Sequence, residues 1–123
     1  MDLYSEIILD HYRNPHHARL LQKPSVRVKE HNPLCGDTIE LDLLIQNDHI
    51  ENAGFKGTGC AISQASASML MDMLIGKKVG SVKKLFSKQV IAMLGVPLSP
   101  ARAKCALLPL VAAKHAILKL NLQ

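Results

Sequence analysis

The chain has no tryptophan and only four aromatic rings, Tyr4, Tyr12, Phe55 and Phe86, in 123 residues. A core without many large rings must be filled by Leu, Ile, Val, Met and Ala, which favours helices with at most one small sheet. The scarcity also argues against a nucleic-acid partner. The formal charge is +5, from fifteen basic and ten acidic residues. Its densest basic runs, Lys77-Lys78 and Lys83-Lys84, have no aromatic neighbour for base stacking before Phe86. A solvated face is the simpler account of these lysines, and docking of an acidic protein is the other.

Long apolar runs are missing too. The longest candidate, Ala61–Ile75, is interrupted by Ser63, Gln64, Ser66, Ser68 and Asp72 and is too short to span a bilayer. The N-terminus carries Asp2 and Glu6 rather than the basic-then-apolar layout of a signal peptide. No membrane association and a cytoplasmic location are expected. Hydrophobic residues make up 48% of the chain, enough for a folded globule. No repeat, low-complexity tract or linker divides it, so one domain over residues 1–123 is expected.

Periodicity sketches the elements. Leu3–Tyr12 has helical spacing, and Asn14-Pro15 should end that helix because a residue before proline avoids the helical region. His16–Pro24 reads as a loop. Val26 and Val28 suggest a short strand. Ile39, Leu41, Leu43 and Ile45 alternate with Glu40, Asp42, Leu44 and Gln46, the period of a strand with one face inward. Asn47-Asp48 is a two-residue turn, since both residues tolerate positive φ, and Ile50–Lys56 is the returning strand. After Gly57-Thr58-Gly59-Cys60 a helix rich in Ala and Met should run to a left-handed cap at Gly76. Short helices are expected over Val82–Phe86 and Val90–Leu94. Ser99-Pro100 opens a last helix reaching about Leu120. Pro109 cannot donate to the Cys105 carbonyl, which predicts a kink or break near Cys105.

Only three cysteines are present, with no C-x-x-C pair. Three thiols cannot close a disulfide framework, and a reducing cytosol would not maintain one. Buried apolar packing and metal or thiol chemistry remain as readings. Cys35, Cys60 and Cys105 each fall at an expected junction between elements. Glycines beside Cys35 and Cys60 leave backbone room for a metal or sulfide, and helix N-termini favour thiolate. Three thiolates leave a four-ligand site one short. Asp37, two residues after Cys35 with Gly36 between to permit the turn, is the candidate for the fourth. A Cys₃Asp set suits tetrahedral Zn²⁺, or a [2Fe–2S] cluster with one harder, more labile ligand in place of a thiolate. Spacing alone, over seventy residues, leaves a shared site and three buried cysteines both open.

The assembled motifs resemble those of the iron–sulfur cluster assembly scaffold family of IscU, NifU N-terminal and SufU type. They are Asp10-His11-Tyr12-Arg13-Asn14-Pro15 after a helix containing Tyr4, then Asn32-Pro33-Leu34-Cys35-Gly36-Asp37. Next come Gly57-Thr58-Gly59-Cys60-Ala61-Ile62-Ser63 with Ala65-Ser66-Ala67-Ser68, and Ala101-Arg102-Ala103-Lys104-Cys105-Ala106. The resemblance runs in order over nearly the whole chain. It implies an α+β fold, a three-stranded antiparallel sheet packed against a layer of helices, with the site at one end. It also implies that Cys35, Asp37, Cys60 and Cys105 hold a transient [2Fe–2S] cluster or Zn²⁺. Sulfur would come from a cysteine desulfurase, with Cys105 as persulfide acceptor, and clusters would pass to acceptor apoproteins. Lys104 stands where IscU-type members have histidine, and Ser99-Pro100-Ala101-Arg102 replaces their chaperone-docking motif. Both features resemble SufU. SufU-type members, however, carry some twenty extra residues between the second and third cysteines, and only forty-four residues separate Cys60 from Cys105 here. The chain reads as an intermediate form.

Other residues are weighed against plainer roles. His31 could approach the site as an outer or alternative ligand. Arg102 and Lys104 could draw an anionic persulfide or steady the Cys105 thiolate, or could be solvated. His16-His17 reads as a solvated loop pair, His115 as structural or exposed, and Met69, Met71 and Met73 as packing residues. Three functions follow: a [2Fe–2S] scaffold, a zinc-bound sulfurtransferase, and a structural zinc domain. The absent segment favours the first, and Arg102 with Lys104 pulls toward the second. Separated, glycine-flanked ligands make the third a poor permanent clamp.

Overall fold

The computed structural model describes residues 3–34 and 36–121; Cys35 lies outside the described residues. The elements are α1 (Leu3–Arg13), β1 (Val26–His31), β2 (Thr38–Gln46), β3 (His49–Thr58), α2 (Ala61–Leu74), α3 (Val79–Lys83), α4 (Ser87–Leu94) and α5 (Pro100–Asn121). The strands form one antiparallel sheet in the order β1-β2-β3. This is the expected α+β arrangement. Asn47 and Asp48 both take positive φ, 52° and 62°, and close the β2–β3 hairpin as their side chains allow.

The inner face of the sheet carries Ile39, Leu41, Leu43, Ile50 and Phe55, buried against Leu70, Met71 and Leu74 of α2 and Leu110 and Ile117 of α5. Helix α5 packs on β1 and β2, and α2 packs on β3. A smaller cluster of Ile8, Ala65, Leu94 and Ala106 joins α1, α2, α4 and α5. Helix α2 is thus covered on several sides, which is why its small residues Ala65, Ser66, Ala67 and Ser68 are all buried. Phe55 lies in the core, whereas Phe86 is exposed.

The outer face of the sheet departs from simple alternation. Asp42, expected among outward polar residues, is fully buried. The loop after α1 crosses this face. It is so close that a Cβ on Gly54, the cross-strand partner of Asp42, would sit 2.1 Å from the Arg19 carbonyl oxygen. Beneath it Asp42 Oδ2 accepts the Leu21 N–H (2.8 Å), and Arg27 donates to both carboxylate oxygens at 2.6 and 2.8 Å. A buried carboxylate thus meets a cation and an amide, which its desolvation requires.

Three expectations near the helices are corrected. Helix α2 ends on an extended Ile75, with Gly76 at φ 93° one residue beyond it, donating to the Ile50 carbonyl. The first short helix starts at Val79 because Val79 and Val82, three residues apart, share one buried face. Helix α5 runs unbroken through Pro109. Its disturbed turn gains an outside donor, the buried Ser66 hydroxyl at 2.6 Å from the Ala106 carbonyl oxygen, and its proline is packed in the core. Tertiary contacts therefore hold a helix that local propensity would interrupt. Ser99 opens it as expected, accepting the Arg102 N–H at 3.3 Å.

Candidate metal and sulfur site

Three segments meet at one end of the sheet. The β1–β2 loop is closed on itself by Asn32: its N–H donates to the Asp37 carbonyl and its own carbonyl accepts from Gly36 N–H, each at 2.8 Å. The Asn32 side chain, itself buried, accepts the Leu34 N–H at 3.0 Å, an Asx turn. Gly36 takes φ 75°, the left-handed conformation expected of it. This turn delivers Asp37, only 4% exposed, to the start of α2.

There Cys60 is the N-cap residue of α2, with extended backbone and no side-chain capping bond. Its N–H donates to Asp37 Oδ1 at 3.3 Å, and its Sγ lies 3.6 Å from Asp37 Oδ2 and 4.0 Å from Ser63 Oγ. Ser63 in turn donates to the Cys60 carbonyl at 3.1 Å. The positive end of the α2 dipole faces this carboxylate and thiol. Gly59 makes the approach possible. A Cβ there would stand 2.6 Å from both Asp37 Cγ and Ser63 Oγ.

The third group, Cys105, is buried in the second turn of α5. The expected junction is therefore a helix interior, because α5 is continuous. One ligand atom each from Asp37, Cys60 and Cys105 lies within 4.8 Å of the others. Ligand bonds of about 2.0–2.3 Å give a tetrahedron edge of roughly 3.3–3.8 Å. The Cys60 Sγ–Asp37 Oδ2 distance of 3.6 Å already falls in that range. A soft, two-thiolate, one-carboxylate set of this kind fits zinc or iron.

The groups lie in an open cleft of about 560 Å³, lined also by Leu34, Gly36, Gly59, Ala101 and Arg102. Leu34 and Gly36, the chain neighbours of Cys35, both line it. Of the auxiliary residues, Arg102 borders the cleft. His31 and Lys104 instead line a neighbouring groove with Glu30, Asn32, Pro33, Leu107, Leu108 and Val111. Another cleft of comparable size, about 510 Å³, is lined by Arg19, Leu20, Leu21, Gln22, Lys23, Leu44 and Asn52, with no thiol, imidazole or carboxylate among them.

Two contributors escaped sequence reasoning. Ser63 looked like a small packing residue, and Asn32 was only part of a motif. Asn32 carried a usable signal, since an Asx residue opening a glycine-containing turn commonly bonds its own loop. Among histidines, His115 pairs with Glu30. His16 and His17, expected to be solvated, both contact Asp72, at 2.6 and 3.0 Å.

Residues 3–122 match the family model described as "NifU-like N terminal domain". The chain is 37% identical to a zinc-dependent sulfurtransferase SufU of Bacillus subtilis, over 95% of this chain and 90% of that one. It is 36% identical to an iron–sulfur cluster assembly scaffold protein IscU of Streptococcus pyogenes, over 94% and 82%. The match to SufU extends over 134 residues, so about 17 positions of that relative have no counterpart in this 123-residue chain. The crystal structure of a putative SUF-system scaffold from Fervidobacterium islandicum superposes with TM-score 0.80 at 30% identity, covering 93% of this chain and 96% of that one. With the motifs, the sheet order and the converging thiols and carboxylate in agreement, this chain belongs to the family of NifU-like N-terminal domains, which its relatives place among iron–sulfur assembly proteins.

Proposed function

We propose that the chain is a single scaffold domain, residues 1–123, that accepts sulfur from a cysteine desulfurase, assembles a labile [2Fe–2S] cluster and passes it to acceptor apoproteins. The reading rests on the convergence of Asp37, Cys60 and Cys105 in an open cleft bordered by the chain neighbours of Cys35. Cys35 is the fourth ligand of the proposed set. The cytoplasm is the proposed compartment; no helix among the described residues is long and apolar enough to cross a membrane.

Sulfur arrives by thiol exchange. The Cys105 thiolate bonds to the outer sulfur of the desulfurase persulfide, the original S–S bond breaks, and the desulfurase cysteine departs as thiolate. No electrons are gained or lost in that step. Turning two transferred sulfurs into two sulfides takes four electrons: two ferrous ions, the second substrate, give two on becoming ferric in the cluster, and an external reductant gives the other two. Arg102, on the cleft border, attracts the anionic persulfide. Lys104 and His31, in the adjoining groove, suit contact with an acidic partner surface rather than ligation. Asp37 supplies the harder ligand that keeps the product exchangeable.

A second reading, a zinc-dependent sulfurtransferase, is favoured by one observation. The three ligand atoms lie within 4.8 Å of one another, close enough for one ion to draw them together, whereas a cluster distributes its ligands over two irons. Bound zinc would keep the thiolates ionised at neutral pH. Cys105 would then take the same persulfide sulfur without cluster formation.

The test is anaerobic reconstitution of the full chain with ferrous iron, cysteine, reductant and catalytic desulfurase, followed by visible absorption and Mössbauer spectra. A cluster spectrum absent in Cys105→Ser, altered in Asp37→Ala, and transferable to an apo-ferredoxin supports the scaffold. Tightly held zinc, no cluster, and faster desulfurase turnover on adding the protein would select the sulfurtransferase.

A further inference from the structure

A second constellation of metal-ligating side chains lies at the opposite end of α2. His11 stands in the last turn of α1, His16 and His17 follow Pro15, and Asp72 lies two residues before the end of α2. One ligand atom each from His11, His16 and Asp72 lies within 4.8 Å of the others. We propose that His11, His16 and Asp72 form a second divalent-metal site, one for a borderline first-row ion such as Zn²⁺, with His17 as the outer partner of the carboxylate.

The geometry is built rather than incidental. The fully buried Ser68 hydroxyl oxygen contacts His11 Nδ1 at 2.7 Å and accepts the His16 N–H at 2.8 Å. One serine thereby positions both imidazole-bearing segments. Histidine ligands characteristically give their other ring nitrogen to such an outer partner. The His17 backbone is held at φ 59°, and its carbonyl accepts from Arg19 N–H and Phe55 N–H. Positive φ is uncommon for a side chain of this size and needs support of that kind. It turns His16 and His17 onto one carboxylate: His16 Nδ1 is 2.6 Å from Asp72 Oδ2, and His17 Nε2 is 3.0 Å from Oδ1.

The chemistry of the groups fits a borderline ion. Two imidazoles and one carboxylate, with no sulfur, suit zinc, iron or nickel more than the soft ions a thiolate set attracts. Side-chain exposures of 49% for His16 and 42% for Asp72 leave room for waters at the remaining positions. Binding requires the His16–Asp72 contact to open from 2.6 Å to about 3.3 Å, the edge of a tetrahedron with bonds near 2.0 Å. Burial, with His16 alongside, lowers the His11 pKa. The Asp72 carboxyl is pushed up by burial but held below its ordinary range overall by His16 and His17.

The twelve residues from Cys60 to Asp72 correspond to roughly 18 Å of helix, so the two sites should load independently. The reduced, metal-free full chain is titrated anaerobically with Zn²⁺ and, in parallel, with Co²⁺. Wild type should bind two equivalents, one cobalt showing thiolate charge-transfer absorption and the other lacking it. His16→Ala and Asp72→Asn should weaken the sulfur-free equivalent about tenfold or more and leave the thiolate band intact. Imidazole ¹⁵N shifts of His11 and His16 in wild type should move with that equivalent, which reads the site even where a variant folds poorly. Binding of a single equivalent by wild type, or a second equivalent that leaves those shifts unmoved, overturns the proposal and reduces the cluster to a His–Asp latch between the loop and α2.

Discussion

The two ends of α2 present contrasting clusters. At the N-terminus Asp37 and Cys105 are buried and Cys60 is half-buried, in a cleft with sulfur as the main donor. Toward the C-terminus His11, His16, His17 and Asp72 are largely at the surface, with nitrogen and oxygen donors. The first is assembled from three segments distant in sequence, each stiffened by a turn or helix. The second is assembled by the end of α1 and the loop after it, folded onto a helix whose Asp72 comes some fifty-five residues later in the sequence. Soft, sheltered donors suit sulfur chemistry and a cargo that must be kept from water. Exposed borderline donors suit exchange with solvent.

The largest expected effect separates the ends outright. Cys60→Ser combined with Cys105→Ser should abolish the thiolate–cobalt band and cluster formation while leaving the histidine site's imidazole shifts responsive to zinc. Co-loss of both signals would mean that the two ends are coupled through α2.

Next in size is Asp42→Ala, which acts on the loop bearing His16 and His17. It removes a fully buried carboxylate that binds Leu21 N–H and Arg27. A loss of about 2 kcal/mol in urea unfolding is expected, because the Leu21 N–H loses its acceptor while Arg27, 44% exposed, can turn to water. The folded variant should also bind zinc more weakly at the histidine end and normally at the thiol end. Equal weakening at both would show that Asp42 supports the whole sheet rather than the loop.

Gly59→Ala works at the other end. Its Cβ would clash at 2.6 Å with Asp37 and Ser63, so the carboxylate must withdraw. A stability cost of about 1–3 kcal/mol is expected, with weaker zinc binding at the thiol site and an unchanged histidine site. An alanine variant with wild-type affinity at the thiol site would mean that Asp37 is not held where it is needed.

The thiol end was legible in the sequence because its residues sit in short motifs. Gly36 beside Cys35 and Asp37, and Gly59 before Cys60, mark turns whose chemistry is local. The α5 break near Cys105 was misjudged because Pro109 is read locally, whereas a serine from α2 and the surrounding core sustain the helix. Asp42 was read as outward for the same reason: strand alternation says nothing of a loop laid over the outer face. The histidine end was invisible. Asp72 lies 55 and 56 residues from its two histidine partners, and no periodicity connects a post-proline loop to the far end of a later helix. Two adjacent histidines in a loop carry no partner information until the backbone is folded.

The smallest effect concerns pH in the metal-free protein. His11 faces His16, Asp72 and Asp10, and its pKa is lowered, first by burial, from an ordinary 6.5. Its neutral form is favoured by folding, so its contribution is complete above pH 6.5 and is lost as pH falls toward the folded value. Asp72 has a folded pKa below its ordinary 3.8. Its contribution is complete above that pH and is lost only on further acidification. The two windows are separate, which lets variants assign them. His11→Gln should flatten the melting-temperature profile between pH 7 and 5 and leave the slope below pH 4 unchanged. Asp72→Asn should lower the melting temperature at pH 7 and converge on wild type below pH 4. Because both groups are partly solvated, shifts of a few degrees are expected. An Asp72→Asn profile parallel to wild type down to pH 3 would mean that the two histidines meet the carboxylate without stabilising the fold, leaving metal binding as the use of the arrangement.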